Sequence, residues 1–286
     1  MSTALIHGTV QVNGTTLAYT QAGPHKVRRR PVVFSHPLFF NRTQWYELMA
    51  RYAQRGHPVY AYDHRGQGES VRAARKDLSV STLTEDAAAF IEHFGLQGCH
   101  FVGASLGGFV GLWLAALRPD LVSTITAIGS SAEEEYTEYD TLVDHLTAHG
   151  TAGVVDPILN IMFSAWTLEN NAALTTHWRA VVSSLDERIG DAAHGVITRP
   201  RIVEKLQDCP VSVLAIGGDD DHAYPGDISG KNIAKAVGHN GRHVTIEHAG
   251  HSAALEQPEV VARHLDEQFA LIDGVLADRW DTAAQR

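Results

Sequence analysis

The sequence predicts an α/β fold: a mostly parallel central β-sheet with helices on both faces and a helical cap inserted between two strands. Short β-branched runs alternate along the chain with longer stretches of helical period. The runs are continuously apolar, which is typical of parallel strands that helices cover on both faces. Strand-like runs are missing from residues 133–199, where large apolar residues recur at helical spacing instead.

The order of the elements follows from these runs. The opening TVQVNGTTLAYTQAG alternates in polarity, and Asn13 and Gly14 within it form a typical hairpin turn. The runs PVVFSHP, PVYAYDHRG, CHFVGAS and STITAIGS follow, and VSVLAIGG and HVTIEHAG come after the helical stretch. We therefore expect one core built from residues 1–132 and 200–286, with residues 133–199 as a helical cap or lid.

The composition indicates an acidic globular protein of 286 residues. Its net charge of −10 argues against a nucleic-acid partner or an anionic membrane surface, because both require a basic face. Two distant cysteines, Cys99 and Cys209, make no disulfide framework, so we expect a cytoplasmic protein. We expect no signal peptide and no membrane span. The expected partner is a small-molecule substrate, and the sequence leaves open whether the protein forms a homo-oligomer.

One serine lies where a strand gives way to a helix. The stretch CHFVGASLGGFVGLWLAAL contains the pattern G-x-S-x-G, with Ser105 between Gly103 and Gly107. Such a tight turn holds the serine hydroxyl outward, and the free N–H groups of the new helix favour a nearby anion. The same pattern could be a glycine-rich helix cap, but the flanking strand and helix favour a nucleophile.

A nucleophilic serine needs a base and an acid that orients the base. Of 17 histidines, His251 is best placed, since it lies in a glycine-bearing loop between the strand HVTIE and a helix. His248 is its nearest rival. The acid is expected directly after VSVLAIGG, where the chain has Asp219, Asp220 and Asp221. These carboxylates could instead form a solvated turn or a cation site, although no second set of oxygen ligands accompanies them.

Taken together, these motifs resemble those of the α/β-hydrolase family, and the resemblance covers nearly the whole chain. The order serine, acid, histidine is that of the family. YAYDHRGQGES, from Tyr60 to Ser70, resembles the family's fourth-strand segment. GDDDHAYP resembles its acid loop, in which the fourth residue is the catalytic acid, and AGHSAALEQPE resembles its histidine loop. The resemblance thus implies a triad of Ser105, His251 and Asp221.

The resemblance also implies two backbone donors for an oxyanion. One is the N–H of Leu106, directly after the nucleophile. Where the family has His-Gly and an apolar residue after a strand, this chain has His36, Pro37, Leu38 and Phe39. Because proline lacks an N–H, the resemblance assigns the second donor to Leu38. It implies neither a metal nor an organic cofactor.

The implied activity is hydrolysis of a small carboxylic ester or lactone through an acyl-enzyme. IGSSAEEEYTE and DERIGDAAHGVITRP in the insertion are similar to the branch of 3-oxoadipate enol-lactonases and small carboxylesterases. The candidate substrate contacts are the apolar residues Phe39, Met162 and Trp166. Three alternatives stay open: a carbon–carbon bond hydrolase of ring-cleavage products, a cofactor-free perhydrolase, and a ligand-binding receptor on the same scaffold.

Overall fold

The computed structural model describes residues 4–24, 29–134 and 139–283, so residues 1–3, 25–28, 135–138 and 284–286 of the predicted domains lie outside it. Over the described residues, eight strands form one sheet in the order β1-β2-β4-β3-β5-β6-β7-β8. The β1–β2 and β2–β4 pairs are antiparallel, and the other pairs are parallel. The strands are β1 Ile6–Val12, β2 Thr15–Ala22, β3 Val32–Ser35, β4 Val59–Tyr62, β5 Cys99–Ala104, β6 Val122–Ile128, β7 Ser212–Gly218 and β8 Gly241–Ile246.

Helices cover both faces of this sheet, as the sequence predicts. Neighbouring strand residues alternate between two cores. Val33 and Phe101 pack on the side of the helices 80–93 (α2) and 106–117 (α3), whereas Phe34 and Val102 pack on the side of the helices 46–54 (α1) and 258–283 (α12). Strands that are buried on both faces account for the continuously apolar runs. The helices are α1 Tyr46–Gln54, α2 Val80–His93, α3 Leu106–Leu117, α4 Asp140–His149, α5 Val155–Met162, α6 Ala165–Asn170, α7 Ala172–Ser183, α8 Arg188–Ile197, α9 Val203–Leu206, α10 Lys231–Val237, α11 Ala253–Glu256 and α12 Pro258–Ala283.

The helices α4 to α8 lie between β6 and β7 in the chain and form what we call the helical segment. Within it α4 packs against α8, while α5 and α6 pack against α7. Its apolar residues join the core on the α2–α3 side of the sheet, where Ile158, Leu159 and Trp178 are buried. Among the described residues, no helix is both long and apolar enough to cross a bilayer.

The loop after β4, which carries the YAYDHRGQGES pattern, is held together by buried polar contacts. Asp63 accepts hydrogen bonds from the backbone N–H groups of Arg42 (2.8 Å) and Glu69 (2.9 Å), and it forms an ion pair with the Arg42 guanidinium. Arg65 pairs with Asp86 on α2, and Ser70 donates to the Asp63 carbonyl (2.7 Å). These residues fix the loop that follows β4.

Candidate active site

Ser105 occupies a sharp turn between β5 and α3, with φ 47° and ψ −112°. Positive φ is strained for a residue with a side chain and is typical of functional sites. The turn brings three chain segments so close that side chains do not fit: a Cβ at Gly103 would overlap the Gly107 carbonyl, and a Cβ at Gly107 would overlap the carbonyl of Ser35 on β3. The glycines of the G-x-S-x-G pattern therefore permit the turn that orients Ser105.

The end of β6 supports this turn from the neighbouring strand. The Ser105 N–H donates to the Ile128 carbonyl (2.7 Å), and the Ser130 hydroxyl donates to the Ser105 carbonyl (3.0 Å). Between them lies Gly129, with φ 53°, where a Cβ would come within 3.0 Å of His251 Nδ1 and 3.1 Å of Asp221 Oδ2. The end of β6 thus binds the Ser105 backbone, and the glycine leaves room for the Asp221 and His251 side chains, although no pattern in the sequence singles this segment out.

Asp221 and His251 form a buried hydrogen-bonded pair. His251 Nδ1 lies 3.1 Å from Asp221 Oδ2 and 3.2 Å from Oδ1. Because a carboxylate only accepts, Nδ1 carries a proton, and in the neutral ring Nε2 has the lone pair that a base needs. Oδ1 also accepts from the N–H groups of Ala223 and Tyr224, each at 2.9 Å, so the carboxylate is fixed in orientation.

The neighbouring candidates have other partners. Asp219 Oδ1 accepts from the Ala249 N–H (3.2 Å), and Asp220 Oδ2 accepts from the Ala165 N–H (2.7 Å). His248 has φ 57°, and its ring packs against Trp166 with the centroids 5.7 Å apart. Of the three carboxylates after β7, the structure brings Asp221 to His251.

The loop after β3 presents Leu38 beside Ser105, and His36 orients the peptide that carries the Leu38 N–H. His36 Nδ1 lies 2.7 Å from the Pro37 carbonyl, which only accepts, so Nδ1–H is the donor. Described peptide bonds are trans, and in a trans peptide the N–H points opposite to the C=O. The Leu38 N–H therefore points away from His36. Phe39 follows with φ 71°, a conformation strained for a bulky side chain.

His36 is itself held by a second buried histidine. The His64 N–H donates to His36 Nε2 (2.9 Å), and His64 Nε2 lies 3.0 Å from the His36 carbonyl, to which it donates. The His36 ring is therefore neutral, because one nitrogen donates and the other accepts. Burial lowers the pKa of His36 and holds the pKa of His64 well below its usual range, where the neighbouring His36 ring lowers it further.

Acidification is expected to destabilise the protein between pH 6.5 and 5.5. Burial also lowers the pKa of His57 and of His100, so these two rings, with His36 and His64, bind protons less readily in the folded chain than in the unfolded chain. Each lowers the free energy of unfolding by up to about 1.4 kcal/mol per pH unit below 6.5.

Urea unfolding at pH 7.5, 6.5 and 5.5 measures this dependence. His57→Gln, which removes one buried ring whose Nδ1 donates to the Arg30 carbonyl, should have a shallower pH dependence. An unfolding free energy that is equal at pH 7.5 and pH 5.5 contradicts the prediction.

Ser105 and His251 line one small apolar cavity of about 70 Å³. That volume is small beside the roughly 300–1,000 Å³ of pockets that enclose drug-sized ligands. Leu38, Phe39 and Met162 line it too, as does Tyr224. The other lining residues come mostly from α4 and α8: Tyr139, Leu142, Val143, Leu146, Ile161, Ala193, Val196, Ile197 and Ala223. The pocket therefore combines the helical segment with the sheet.

Not every candidate contact lies at this cavity. Trp166 is not among the lining residues. It lies in the first turn of α6, is 43% exposed and packs against the ring of His248. Phe163 and Trp178 pack around Phe40, with the Phe40 and Trp178 centroids 4.1 Å apart. Most of the lining residues that the sequence does not predict lie on α4 and α8, where their helical spacing is the one signal that the sequence offers.

The family of the chain follows from a sequence comparison. The family model described as the alpha/beta hydrolase fold matches residues 30–258, a range that includes every strand from β3 to β8, the Ser105 turn, and the acid and histidine loops. The chain belongs to the α/β-hydrolase family. The predicted fold class and resemblance are thereby confirmed.

The chain is similar to several hydrolases of known sequence. A protein of Pseudomonas savastanoi pv. phaseolicola, provisionally named carbamate hydrolase RutD, is 28% identical over 242 residues, or 79% of this chain and 88% of that protein. The bifunctional esterase/perhydrolase DCH of Acinetobacter calcoaceticus is 25% identical over 275 residues, or 88% and 95%. The enol-lactonase of Burkholderia xenovorans superposes with a TM-score of 0.85 at 22% identity, covering 92% of this chain and all of that one. At this identity the likeness shows the fold.

Proposed function

We propose that this α/β-hydrolase cleaves small carboxylic esters and lactones through a covalent acyl-enzyme on Ser105. The observation that carries the proposal is the buried Asp221–His251 hydrogen bond beside the small apolar cavity that Ser105 also lines. A strained serine, an oriented imidazole and backbone donors at one cavity are the parts that acyl transfer requires. The helical segment would act as the cap over this cavity.

In the proposed first step, the Ser105 oxygen attacks the carbonyl carbon while its proton passes to Nε2 of His251. The N–H groups of Leu38 and Leu106 stabilise the negative charge that forms on the carbonyl oxygen. Leu106 is suited to this role because it is the first residue of α3, where N–H groups have no acceptor within the helix. Asp221 stabilises the imidazolium.

The imidazolium then protonates the departing alkoxide oxygen as the carbon–oxygen bond breaks. With a lactone, that alkoxide stays attached to the acyl chain. In the second half of the reaction, a water molecule gives its proton to His251 and attacks the acyl carbon. Collapse of this second intermediate breaks the bond to Ser105, which regains its proton, and releases the carboxylic acid.

The size and character of the cavity support a small acyl group. Phe39 and Met162 contribute apolar surface to its lining, and the cavity has room for a few carbon atoms. An uncharged, short acyl chain gains from burial there, whereas a charged group would lose hydration without a partner.

Carbamates are the second candidate substrates. The observation in their favour is the name carbamate hydrolase RutD, which several relatives carry, including one that matches 79% of this chain. A carbamate has the same carbonyl centre with nitrogen on one side, so the same attack by Ser105 would apply. The carbonyl is less electrophilic, because the nitrogen lone pair delocalises into it.

Hydrolysis of a matched substrate series tests both candidates. We expect turnover of p-nitrophenyl acetate and butyrate and of small lactones, with kcat/KM for the octanoate lower by about tenfold or more because the cavity cannot hold it. The kcat/KM for a p-nitrophenyl carbamate, compared with that for the esters, shows which of the two substrate classes the enzyme prefers. Peroxide with acetic acid, and a vinylogous diketone, test for perhydrolase and carbon–carbon bond activity.

A fluorophosphonate provides an independent measurement on the same protein. It should add one mass label on the peptide that contains Ser105, with Ser105→Ala as the unlabelled control. If wild type is neither labelled nor active on any ester, lactone or carbamate, the proposed hydrolysis is wrong. In that case a ligand-induced rise in melting temperature becomes the measurement to make.

A further inference from the structure

Residues 162–165, where α5 ends and α6 begins, are bound to both of the loops that carry Asp221 and His251; we call these four residues the α5–α6 junction. The Ala165 N–H donates to Asp220 Oδ2 (2.7 Å), and the Ser252 N–H donates to the Met162 carbonyl (2.9 Å). Asp220 directly precedes Asp221, and Ser252 directly follows His251. The junction is thus tied to the chain immediately beside each member of the pair.

The buried carboxylate of Glu256 makes the most direct connection. Its Oε2 accepts from the N–H of Ser164 (2.8 Å) and from the Ser164 hydroxyl (2.7 Å). Its Oε1 accepts from the N–H of Gly250 (2.9 Å), the residue before His251. Glu256 is 7% exposed, so these bonds are shielded from water and their loss is costly. One side chain therefore holds the junction and the histidine loop together.

The two segments also touch directly. A Cβ at Gly250 would overlap the Ser164 backbone nitrogen, and the Phe163 carbonyl carbon would be 2.7 Å from it. Because Gly250 has no side chain, the backbone of the α5–α6 junction packs directly against the backbone of the histidine loop. This contact fixes the distance between the two segments. Glu256 then fixes their lateral position, because its two oxygens bind donors on opposite sides of that contact.

At its other end the junction reaches the cavity. Met162 lines the cavity together with Ser105 and His251, while its carbonyl accepts from the N–H that follows His251. A displacement of the junction would therefore move a wall of the cavity and the histidine loop together.

We propose that Glu256 is a positioning residue for His251: by binding the α5–α6 junction and the histidine loop at once, it holds the imidazole where it can take the proton from Ser105. The inference rests on the proposed function, in which His251 is the general base. It adds a residue on α11 that touches neither substrate nor Ser105 and acts through the loop.

The chemistry of the contacts shows how to test this role. The contacts to Ser164 and Gly250 require Glu256 to accept at both oxygens. Burial raises the pKa of Glu256, while the hydrogen bonds from Ser164, Thr167 and Gly250 act in the opposite direction. Glutamine has the same shape but turns one acceptor into an NH₂ donor, which would face an N–H group.

The test is Glu256→Gln, with Glu259→Gln as the matched control. Glu259 is an exposed residue of α12 that pairs with Arg51 at the surface (2.6 Å). We expect E256Q to lower kcat on p-nitrophenyl acetate by about ten- to a hundredfold, the effect of a misplaced catalytic group, with KM nearly unchanged. E259Q should match wild type in kcat.

Nuclear magnetic resonance of the His251 ring gives a readout that does not depend on turnover. The downfield Nδ1–H signal, assigned by its absence in His251→Asn, should weaken or shift in E256Q and stay unchanged in E259Q. If E256Q melts at a lower temperature but keeps both kcat and this signal, Glu256 is structural only and the inference is wrong. If wild type hydrolyses nothing yet the signal changes in E256Q, the positioning role stands and the proposed function fails.

A milder variant covers the case in which E256Q does not fold. Ser164→Ala removes the hydroxyl donor to Glu256 but leaves the backbone donor, and a severalfold loss of kcat with a shifted His251 signal is expected. The same variant also loses the hydroxyl that accepts from the Thr167 N–H at the start of α6. A lower melting temperature alone, with kcat and the signal unchanged, would count against the positioning role.

Discussion

Replacing Asp221 by asparagine is expected to lower kcat by about 10⁴-fold while the fold persists. In the wild type, Oδ1 accepts from two backbone N–H groups, those of Ala223 and Tyr224. An asparagine side chain must keep its oxygen there, because an NH₂ group would face two donors. Its NH₂ then takes the place of Oδ2, next to His251 Nδ1.

That arrangement reverses the tautomer of the imidazole. Nδ1 would accept from the asparagine NH₂, the ring proton would move to Nε2, and Nε2 could no longer take the proton of Ser105. The loop supplies two donors that dictate the direction of the amide, so the atom nearest Nδ1 becomes an NH₂ donor, and the oxygen, 3.2 Å from Nδ1, is already engaged by two N–H groups. The effect should appear in kcat more than in KM, because the cavity is unchanged.

The measurement is steady-state hydrolysis of p-nitrophenyl acetate, together with the rate of labelling by a fluorophosphonate. Asp219→Asn is the matched control: it alters a carboxylate two residues away that accepts from the Ala249 N–H and does not contact His251. Retention of more than about a tenth of wild-type kcat by Asp221→Asn would show that Asp221 is not the orienting acid.

The fold could be predicted because its signals are local. The apolar runs of β3 to β7 and the turn at Asn13 and Gly14 each reflect burial or backbone conformation within a few residues. The Ser105 turn could also be predicted, since its glycines form a short sequence pattern. A side chain at Gly103 or Gly107 would overlap neighbouring backbone, and this requirement belongs to the turn itself. Choosing Asp221 among three consecutive aspartates required the family resemblance, because spacing alone did not separate them.

The cavity wall could not be predicted in the same way. Periodicity tells which residues of α4 and α8 share a face, but not how a helix is rotated against a sheet that lies far away in sequence. Side-chain size alone therefore favours residues such as Trp166, which lies outside the cavity. The bond from Ser164 to Glu256 joins residues 92 positions apart and leaves no local pattern.

Replacing Gly107 by alanine is expected to lower the free energy of unfolding by about 3 kcal/mol or more, the upper range for forcing atoms into a packed core. The added Cβ would overlap the Ser35 carbonyl, which is backbone of a central strand. The Ser35 hydroxyl is also bonded to Tyr62 (3.2 Å) and His64 (3.1 Å), so the strand is held from its side-chain end as well. Relief requires α3 to move, and Ser105 moves with it.

The control for Gly107→Ala is the same substitution at Gly274, which lies in α12 with nothing within 4 Å of a Cβ. Helix propensity alone favours alanine over glycine by up to about 1 kcal/mol at both positions. Gly274→Ala should therefore stabilise the protein slightly, and Gly107→Ala should destabilise it strongly. Because the chemical change is the same and both glycines lie in a helix, opposite signs in urea unfolding would point to the steric overlap at the Ser105 turn. A Gly107→Ala variant that is as stable as wild type, or more stable, would mean that α3 can shift without cost and that the glycine at position 107 is not needed to hold Ser105 in its strained turn.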